Sequence, residues 1–194
     1  MTLIRIKEVS LSKFSAYGYE GASLGIIANS IGIKKPSIYT YFISKDALFL
    51  EVFSDSIHSV LSLISNYFKN KNSQEFKNLL YDFLTQCAAH FEKDDTVRFF
   101  MRTAFFPPTH LQAEIKAGLD LYTFRLEEVL HHLFETAIVN CQLKNSEESQ
   151  TGVVAYISLL HSFFLDLLTG STERAISRLN AAWSIYWRGL SNEK

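Results

Sequence analysis

The chain has 194 residues, of which 47% are hydrophobic and 20% are charged, and it contains 16 Phe but only 8 Gly and 3 Pro. That length suffices to bury one sizeable core, or a small module attached to a larger one. So few Gly and Pro residues, placed between long stretches with helical apolar periodicity, predict an all-α protein.

Charge is distributed unevenly along a chain whose net charge is −1. Residues 1–50 carry six basic against three acidic side chains, a net +3, and the remainder carries a net −4. A positive N-terminal part is a modest indication of a polyanionic partner. Cys87 and Cys141 show no CxxC spacing, which argues against a disulfide framework or zinc site and suits the cytoplasm.

No segment is expected to target the chain to a membrane or to secretion. The N-terminus shows neither a signal peptide nor a transit sequence. The most apolar run, Val153 to Leu168, is interpreted as too short to span a bilayer, and it carries His161 and Asp166. The sequence therefore predicts a soluble, cytoplasmic protein.

The apolar spacing predicts about nine helices. The first runs from about Leu3 to Tyr17 and ends at Gly18, and Ser23 caps a second one that Gly32 terminates. Pro36 opens a short third helix that ends near Phe42. A fourth helix of about 25 residues begins after Ser44.

Five more helices are predicted in the C-terminal part. The fifth runs from near Phe76 to near Phe91, and acidic residues at Asp94 and Asp95 lead in the sixth. Pro107 and Pro108 end that helix. The remaining three cover Thr109–Ala137, the run that ends at Gly170, and Ile176–Leu190.

Residues 23–45 contain two short helices that hinge at Gly32, the arrangement of a helix-turn-helix. The second helix of this motif, which is the third helix of the chain, begins with Lys34 and Lys35. Ile33, Ile38 and Phe42 would pack inward. Lysines at a helix start can reach phosphates or guanine edges, and tyrosine hydroxyls can donate to phosphates. The predicted DNA-binding residues are Ser23, Lys34, Lys35, Pro36, Ser37, Tyr39, Thr40, Tyr41 and Lys45. The alternatives are that the tyrosines pack between helices and that the lysines form an ordinary solvated surface.

About residues 6–50 resemble the TetR family of transcriptional regulators. The resemblance lies in a composite pattern, which is far more specific than a lone short motif: Phe14, Gly18-Tyr19, Ile27-Ala28, Gly32-Ile33, Ile38 to Phe42 and Ser44-Lys45. One departure is Lys34, which stands where the family usually has a small N-cap residue. The resemblance implies a DNA-binding domain over 1–46 and an effector-binding and dimerisation domain over 47–194.

The resemblance further implies a small-molecule pocket and a homodimer interface in the C-terminal domain. The predicted lining, which would suit a lipophilic or aromatic effector, is Phe83, Gln86, Cys87, His90, Phe99, Phe100, Arg102, Thr103, Phe106, Tyr122 and His161. The predicted interface, argued from an excess of aromatic residues, is Tyr156, Leu160, Phe163, Phe164, Leu179, Trp183, Tyr186 and Trp187. The alternative for both sets is an internal core.

The functional hypothesis is a ligand-responsive repressor that binds a palindromic operator as a dimer. A small-molecule effector would release the repressor from the operator. Its partners would be double-stranded DNA, a small-molecule effector and a second copy of the chain, with no membrane, cofactor or metal. No GxSxG, Walker loop, HExxH or paired carboxylates indicate an enzyme. The alternatives are a helical lipid carrier or enzyme, or a helical protein-interaction module.

Overall fold

The computed structural model describes residues 2–69, 75–143 and 147–191. These residues form eight α-helices, two 3-10 turns and no strand, so the all-α prediction is confirmed. The helices are α1 (Thr2–Gly21), α2 (Leu24–Ile31), α3 (Lys45–Lys69), α4 (Phe76–Lys93), α5 (Asp95–Phe105), α6 (Gln112–Val139), α7 (Glu147–Thr169) and α8 (Thr172–Ser191). The 3-10 turns are Lys35–Ser37 and Thr109–Leu111.

The predicted helix ends hold at most positions, because side chains cap the free backbone N–H groups there. Ser23 Oγ accepts from Ile26 N at 3.2 Å, and Ser44 Oγ accepts from Ala47 N at 3.0 Å. Asp94 caps α5 in the same way. Gly18 has the expected positive φ of 68°, but the helix continues beyond this kink to Gly21.

The chain divides into two compact units, Met1–Ser62 with Phe91–Tyr122 and Leu63–His90 with Thr123–Lys194. The boundaries fall inside α3, α4 and α6. Residues 1–46 are therefore not a separate compact unit, because α1 packs on α5 within the first unit. The division at residue 46 into DNA-binding and effector domains concerns function and stays a prediction.

Aromatic rings form the core of the first unit. Phe49 lies edge-on to Phe14, with ring centroids 4.9 Å apart, and to Phe99 at 5.3 Å. Phe100 continues the cluster to Tyr122, 4.8 Å away. Edge-to-face pairs of this kind add to the free energy of area burial, so this cluster holds α1, α3, α5 and α6 together.

The second unit has its own aromatic core. Tyr156 of α7 is fully buried, and its hydroxyl donates to the Leu80 carbonyl at 2.8 Å. Trp183 and Trp187 of α8 stack with centroids 5.9 Å apart. The hydrogen bond of Tyr156 satisfies a hydroxyl group that would otherwise be costly to bury.

Two helices are long and apolar enough to cross a membrane by length and composition alone, Lys45–Lys69 and Gln150–Thr169. The prediction that the Val153 run is too short for a span was wrong on length, because the helix around it extends further at both ends. In each helix 44% of the most apolar window is buried inside the protein. Core helices pass the same test, so this feature is weak support for a membrane segment.

Candidate nucleic-acid interface

The helix-turn-helix begins with α2, which anchors the rest of the motif to the core. Leu24, Ile27 and Ala28 are buried, which leaves the opposite face of this short helix in solvent. Ser23 is exposed, but its hydroxyl oxygen already accepts the α2 capping hydrogen bond. A DNA contact by Ser23 would therefore share that oxygen or use its O–H.

The turn after α2 depends on Gly32. This residue has φ 80° and ψ 26°, the left-handed conformation that glycine adopts at little cost. The next amide, Ile33 N, donates back to the Ala28 carbonyl at 3.0 Å. This pairing closes the end of α2 and turns the chain into the predicted recognition segment.

The recognition segment, residues 34–42, contains a shorter helical element than the short helix predicted from Pro36 to Phe42. A 3-10 turn covers Lys35–Ser37, and Tyr39 N donates to Pro36 O at 3.1 Å. Only Phe42 N, which donates to Ile38 O at 3.0 Å, makes the longer α-helical spacing. The N-cap residue Lys34 makes no side-chain capping bond, and this absence together with the tight i to i+3 bonding accounts for the shorter element.

Burial within this segment separates its two faces clearly. Ile38 and Phe42 are buried, as predicted, whereas Ile33 is half-buried. Tyr39 is 49% exposed and Tyr41 is 47% exposed, so neither ring is enclosed between helices. Of the remaining predicted contacts, Ser37 is half-buried and the others are exposed: Lys34, Lys35, Pro36 and Thr40.

Lys45 lies in a different environment from the other lysines. Its ammonium is 4.0 Å from the centroid of the Tyr19 ring, a cation–π contact. Burial lowers the pKa of Lys45, while Glu20 and Asp46 act in the opposite direction. The side chain is half-buried, so a phosphate contact would compete with its packing on Tyr19.

A polar cluster that was not predicted from the sequence lies beside Lys45. The Tyr19 hydroxyl donates to the Asp46 carboxylate, and His110 Nε2 lies 3.3 Å from the same carboxylate oxygen. The Tyr19 and His110 rings are 5.0 Å apart, edge to face. The hydrogen bond from Tyr19 is the main cause of the lowered pKa of Asp46, and burial raises the pKa of Tyr19.

A second cluster attaches α1 to α5. Ser15 Oγ donates to the Asp95 carboxylate at 3.1 Å, and Arg98 contacts both groups, with its Nη2 2.8 Å from the same carboxylate oxygen. Further along α1, the Arg102 guanidinium packs on Gly18. Apart from the Gly18-Tyr19 pair in the family pattern, no short-range signal in the sequence indicated these long-range partners.

The comparison with protein families bears on this part of the chain. Residues 7–52 match the family model for bacterial regulatory proteins of the tetR family. The match includes most of α1, all of α2, the recognition segment and the start of α3. Residues 7–52 belong to the tetR family. No curated protein matches the sequence significantly.

The TetR-family fold extends over nearly the whole chain. The structure of a putative TetR-family transcriptional regulator from Mesorhizobium loti is similar, with a TM-score of 0.73 and 16% identity. The similarity covers 97% of this chain and 96% of that one. Salmonella enterica GusR gives 0.72 at 14% identity and covers 97% and 94%. Bacillus subtilis FadR, solved with stearoyl-CoA, gives 0.68 at 12% identity and covers 95% and 97%. Similarity at these identities shows a shared fold.

The predicted effector-pocket residues are divided between the two compact units of the chain. In the first unit, Phe99, Phe100, Thr103 and Tyr122 are buried, and Arg102 and Phe106 are exposed. In the second, Phe83 and Cys87 are buried, His161 is half-buried, and Gln86 and His90 are exposed. Burial raises the pKa of Cys87 to about 12 and lowers the pKa of His161. Their role in a pocket stays a prediction.

The predicted interface residues lie inside the second unit. Tyr186 is half-buried. The other seven are at most 8% exposed: Tyr156, Leu160, Phe163, Phe164, Leu179, Trp183 and Trp187. The aromatic excess inferred from the sequence is thus accommodated within the unit's own core. The large apolar side chains that α7 and α8 expose are Val154, Leu165 and Ile185.

Metal binding finds no support in the described part of the chain. No group of three or more His, Cys, Asp or Glu side chains there is arranged to hold a metal ion. Cys141 is exposed, whereas Cys87 is buried. A site built on these cysteines is therefore not indicated by the residues that the structure describes.

Proposed function

We propose that this chain is a DNA-binding transcriptional regulator that reads a palindromic operator through residues 23–45. One observation carries the proposal: within the tetR-family region, a short segment exposes Lys34, Lys35, Tyr39 and Tyr41 on one side and buries Ile38 and Phe42 on the other. A segment with cations and hydroxyls outward is suited to DNA, whose phosphates accept hydrogen bonds from both. Because the net charge of the chain is only −1, its affinity for DNA would have to come from this local group of donors.

The two lysines and two tyrosines would serve different purposes at the DNA. Lys34 and Lys35 enter the 3-10 turn, where a long side chain can reach a phosphate or a guanine edge. Tyr39 and Tyr41 carry half-exposed rings whose hydroxyls can donate to phosphates and orient the segment. Base readout is assigned to the lysines, together with Thr40.

The proposed regulator acts as a homodimer in the cytoplasm. Two recognition segments set about 34–36 Å apart would reach successive major grooves of one palindromic site. On α7 and α8 the exposed Val154, Leu165 and Ile185 are apolar and would be covered by the same helices of a second copy. Ala181 and Ala182 lie exposed beside Ile185 on α8, and small side chains permit close helix contact.

The proposed response is repression that a lipophilic or aromatic effector relieves. FadR, whose fold this chain shares, was solved with stearoyl-CoA, and this likeness supports an apolar effector. An effector shifts operator affinity only if it binds the two conformations differently. A change in the separation of the two recognition segments is the difference that would matter here.

The test is selection of DNA fragments bound by the full chain, followed by titration of the recovered site. We expect a palindrome, and we expect affinity to fall steeply as salt rises, because bound lysines release counterions. A chain that retains no duplex preferentially, or binds without salt dependence, would instead support a helical lipid carrier or enzyme. Repression is checked by transcription from a promoter that overlaps the recovered site.

A further inference from the structure

The second compact unit contains a cavity of about 520 Å³ that was not predicted from the sequence. It lies where the end of α3, the start of α4 and the second half of α6 meet. Its volume is within the range of small-molecule sites, about 300–1,000 Å³. None of the predicted effector-pocket residues is among the described residues that line it.

One wall of the cavity is apolar and already fixed in place. Phe68, Phe76 and Leu79 line it and are almost completely buried. The Phe68 ring packs on Phe83 at 4.9 Å, and the Phe76 ring meets Phe134 edge to face at 5.0 Å. Because these contacts hold both rings, little side-chain entropy is left for a ligand to remove.

The α6 wall presents two neighbouring stripes of opposite character. Val129, Leu133 and Ala137 are spaced four residues apart and continue the apolar surface. His132, Thr136 and Asn140 have the same spacing and lie in solvent, which makes the adjoining stripe polar. The cavity therefore changes from apolar to polar across the width of one helix.

The charges of the lining favour an anion at the polar side. Lys69, the last residue of α3, contributes a positive charge, and His132 and Asn140 contribute N–H donors. The described lining contains no Asp or Glu. Glu128 and Glu135 lie with His132 on the outer surface of α6, but neither lines the cavity, whereas Lys69 does.

We propose that this cavity binds a small amphipathic carboxylic acid. Its apolar body would lie against Phe68, Phe76 and Leu133, and its carboxylate would accept hydrogen bonds at the Lys69 and His132 side. The inference deepens the proposed effector response, since it names a site and a chemical class for the effector. Binding to the cavity itself does not depend on DNA.

The test uses decanoate as the probe, with decanol as its uncharged analogue. The two tryptophans of the chain are Trp183 and Trp187, and the Trp187 ring lies 6.5 Å from that of the cavity residue Phe76. Titration of the full chain without DNA is followed by tryptophan fluorescence and by calorimetry. We expect saturable binding of one decanoate per chain, tighter than that of decanol.

Two variants locate the site and its charge preference. Lys69→Gln should weaken decanoate binding roughly tenfold and leave decanol unchanged, because a charge-assisted hydrogen bond is lost. Lys93→Gln is the matched control, since Lys93 is the exposed last residue of α4 and does not line the cavity. Val129→Phe fills space at the half-buried end of the apolar stripe and should weaken both ligands.

Several outcomes would overturn the proposal. Equal decanoate binding by the wild type and Lys69→Gln would refute the anion preference, and unchanged binding by Val129→Phe would refute the site. Circular dichroism spectra establish that each variant is folded, and Leu133→Phe replaces Val129→Phe if that variant is not. Operator binding is measured separately. Absence of decanoate binding would therefore leave the DNA-binding proposal unaffected, and absence of operator binding would leave the proposed ligand site in the cavity unaffected.

Discussion

The Tyr19 hydroxyl donates a hydrogen bond to the Asp46 carboxylate and thereby ties the end of α1 to the first turn of α3. His110, from the turn before α6, approaches the same carboxylate. Lys45 packs its ammonium on the Tyr19 ring. The position of one predicted DNA contact is thus set by residues from three separate parts of the chain.

Asp46 should make the stability of the chain depend on acidity. Its pKa is lowered from 3.8, first by the Tyr19 hydrogen bond and then by His110. A lowered pKa means that the carboxylate stabilises the fold above its ordinary pKa, and that this contribution is lost as pH falls through the folded-state value. We expect the difference in unfolding free energy between wild type and Asp46→Asn to be constant above about pH 5 and to shrink as pH falls from there through the folded-state pKa, which lies below 3.8.

Urea unfolding measured from neutral pH down to below pH 3.8 checks the prediction. Tyr19→Phe removes the hydroxyl and keeps the ring beneath Lys45, so it should flatten the dependence on pH. It should also cost about 1 kcal/mol at neutral pH, the usual net value of one hydrogen bond. A pH dependence of Tyr19→Phe identical to that of wild type would contradict the assigned cause.

Gly18 and Gly32 form a matched pair for testing backbone strain. Both have positive φ, but Gly32 has open space where a Cβ would lie, whereas the Arg102 guanidinium is 3.3 Å from that position at Gly18. Gly18 also has ψ −177°, a region that is essentially limited to glycine and costs other residues about 1–3 kcal/mol. We expect Gly18→Ala to lower the unfolding temperature more than Gly32→Ala.

Arg102→Ala separates the two contributions at Gly18. In that background the steric part of the Gly18→Ala penalty should disappear, and the backbone part should remain. The comparison is a double-mutant cycle in thermal unfolding. Strict additivity of Gly18→Ala and Arg102→Ala would show that the guanidinium moves aside without cost.

Replacing both Lys34 and Lys35 by Ala should weaken operator binding. If each contacts a phosphate, the slope of log affinity against log salt should decrease by roughly one for each lysine removed. Lys116→Gln is the control, because Lys116 is exposed on α6 and already pairs with Asp120 at 2.8 Å. Unchanged duplex affinity of the double variant at fixed salt would remove the recognition segment from the proposed interface.

A charge on the exposed face of α8 should dissociate the proposed dimer. Ile185 is 67% exposed, so Ile185→Glu costs little inside one chain, but it would place a carboxylate in an apolar interface. We expect sedimentation velocity to show a monomer with an unchanged helical spectrum. Asn180→Asp, on an exposed position of the same helix, is a comparison for added charge alone, because it keeps the oxygen that accepts a hydrogen bond from the Tyr81 hydroxyl. A dimer that survives Ile185→Glu would exclude this face.

Local signals in the sequence predicted much of this protein. The Ser23 and Ser44 caps, the acidic start of the sixth helix at Asp94 and the end of α2 at Gly32 were predicted because capping and turn geometry depend on neighbouring residues. The composite pattern that includes Gly18-Tyr19 indicated the family for the same reason, since its members lie close together in sequence. The third helix is shorter than predicted, because Lys34 gives no side-chain cap and the segment closes with 3-10 bonds.

The helices and the family pattern were therefore determined by the sequence itself, through contacts between residues a few positions apart. The tertiary structure decided the rest, because burial depends on partners that are distant along the chain. Asp46 and His110 are 64 residues apart and meet only in the folded protein. Trp183 and Trp187 are buried in the same way by distant partners, with the Tyr81 ring 5.4 Å from Trp183 and the Phe76 ring 6.5 Å from Trp187.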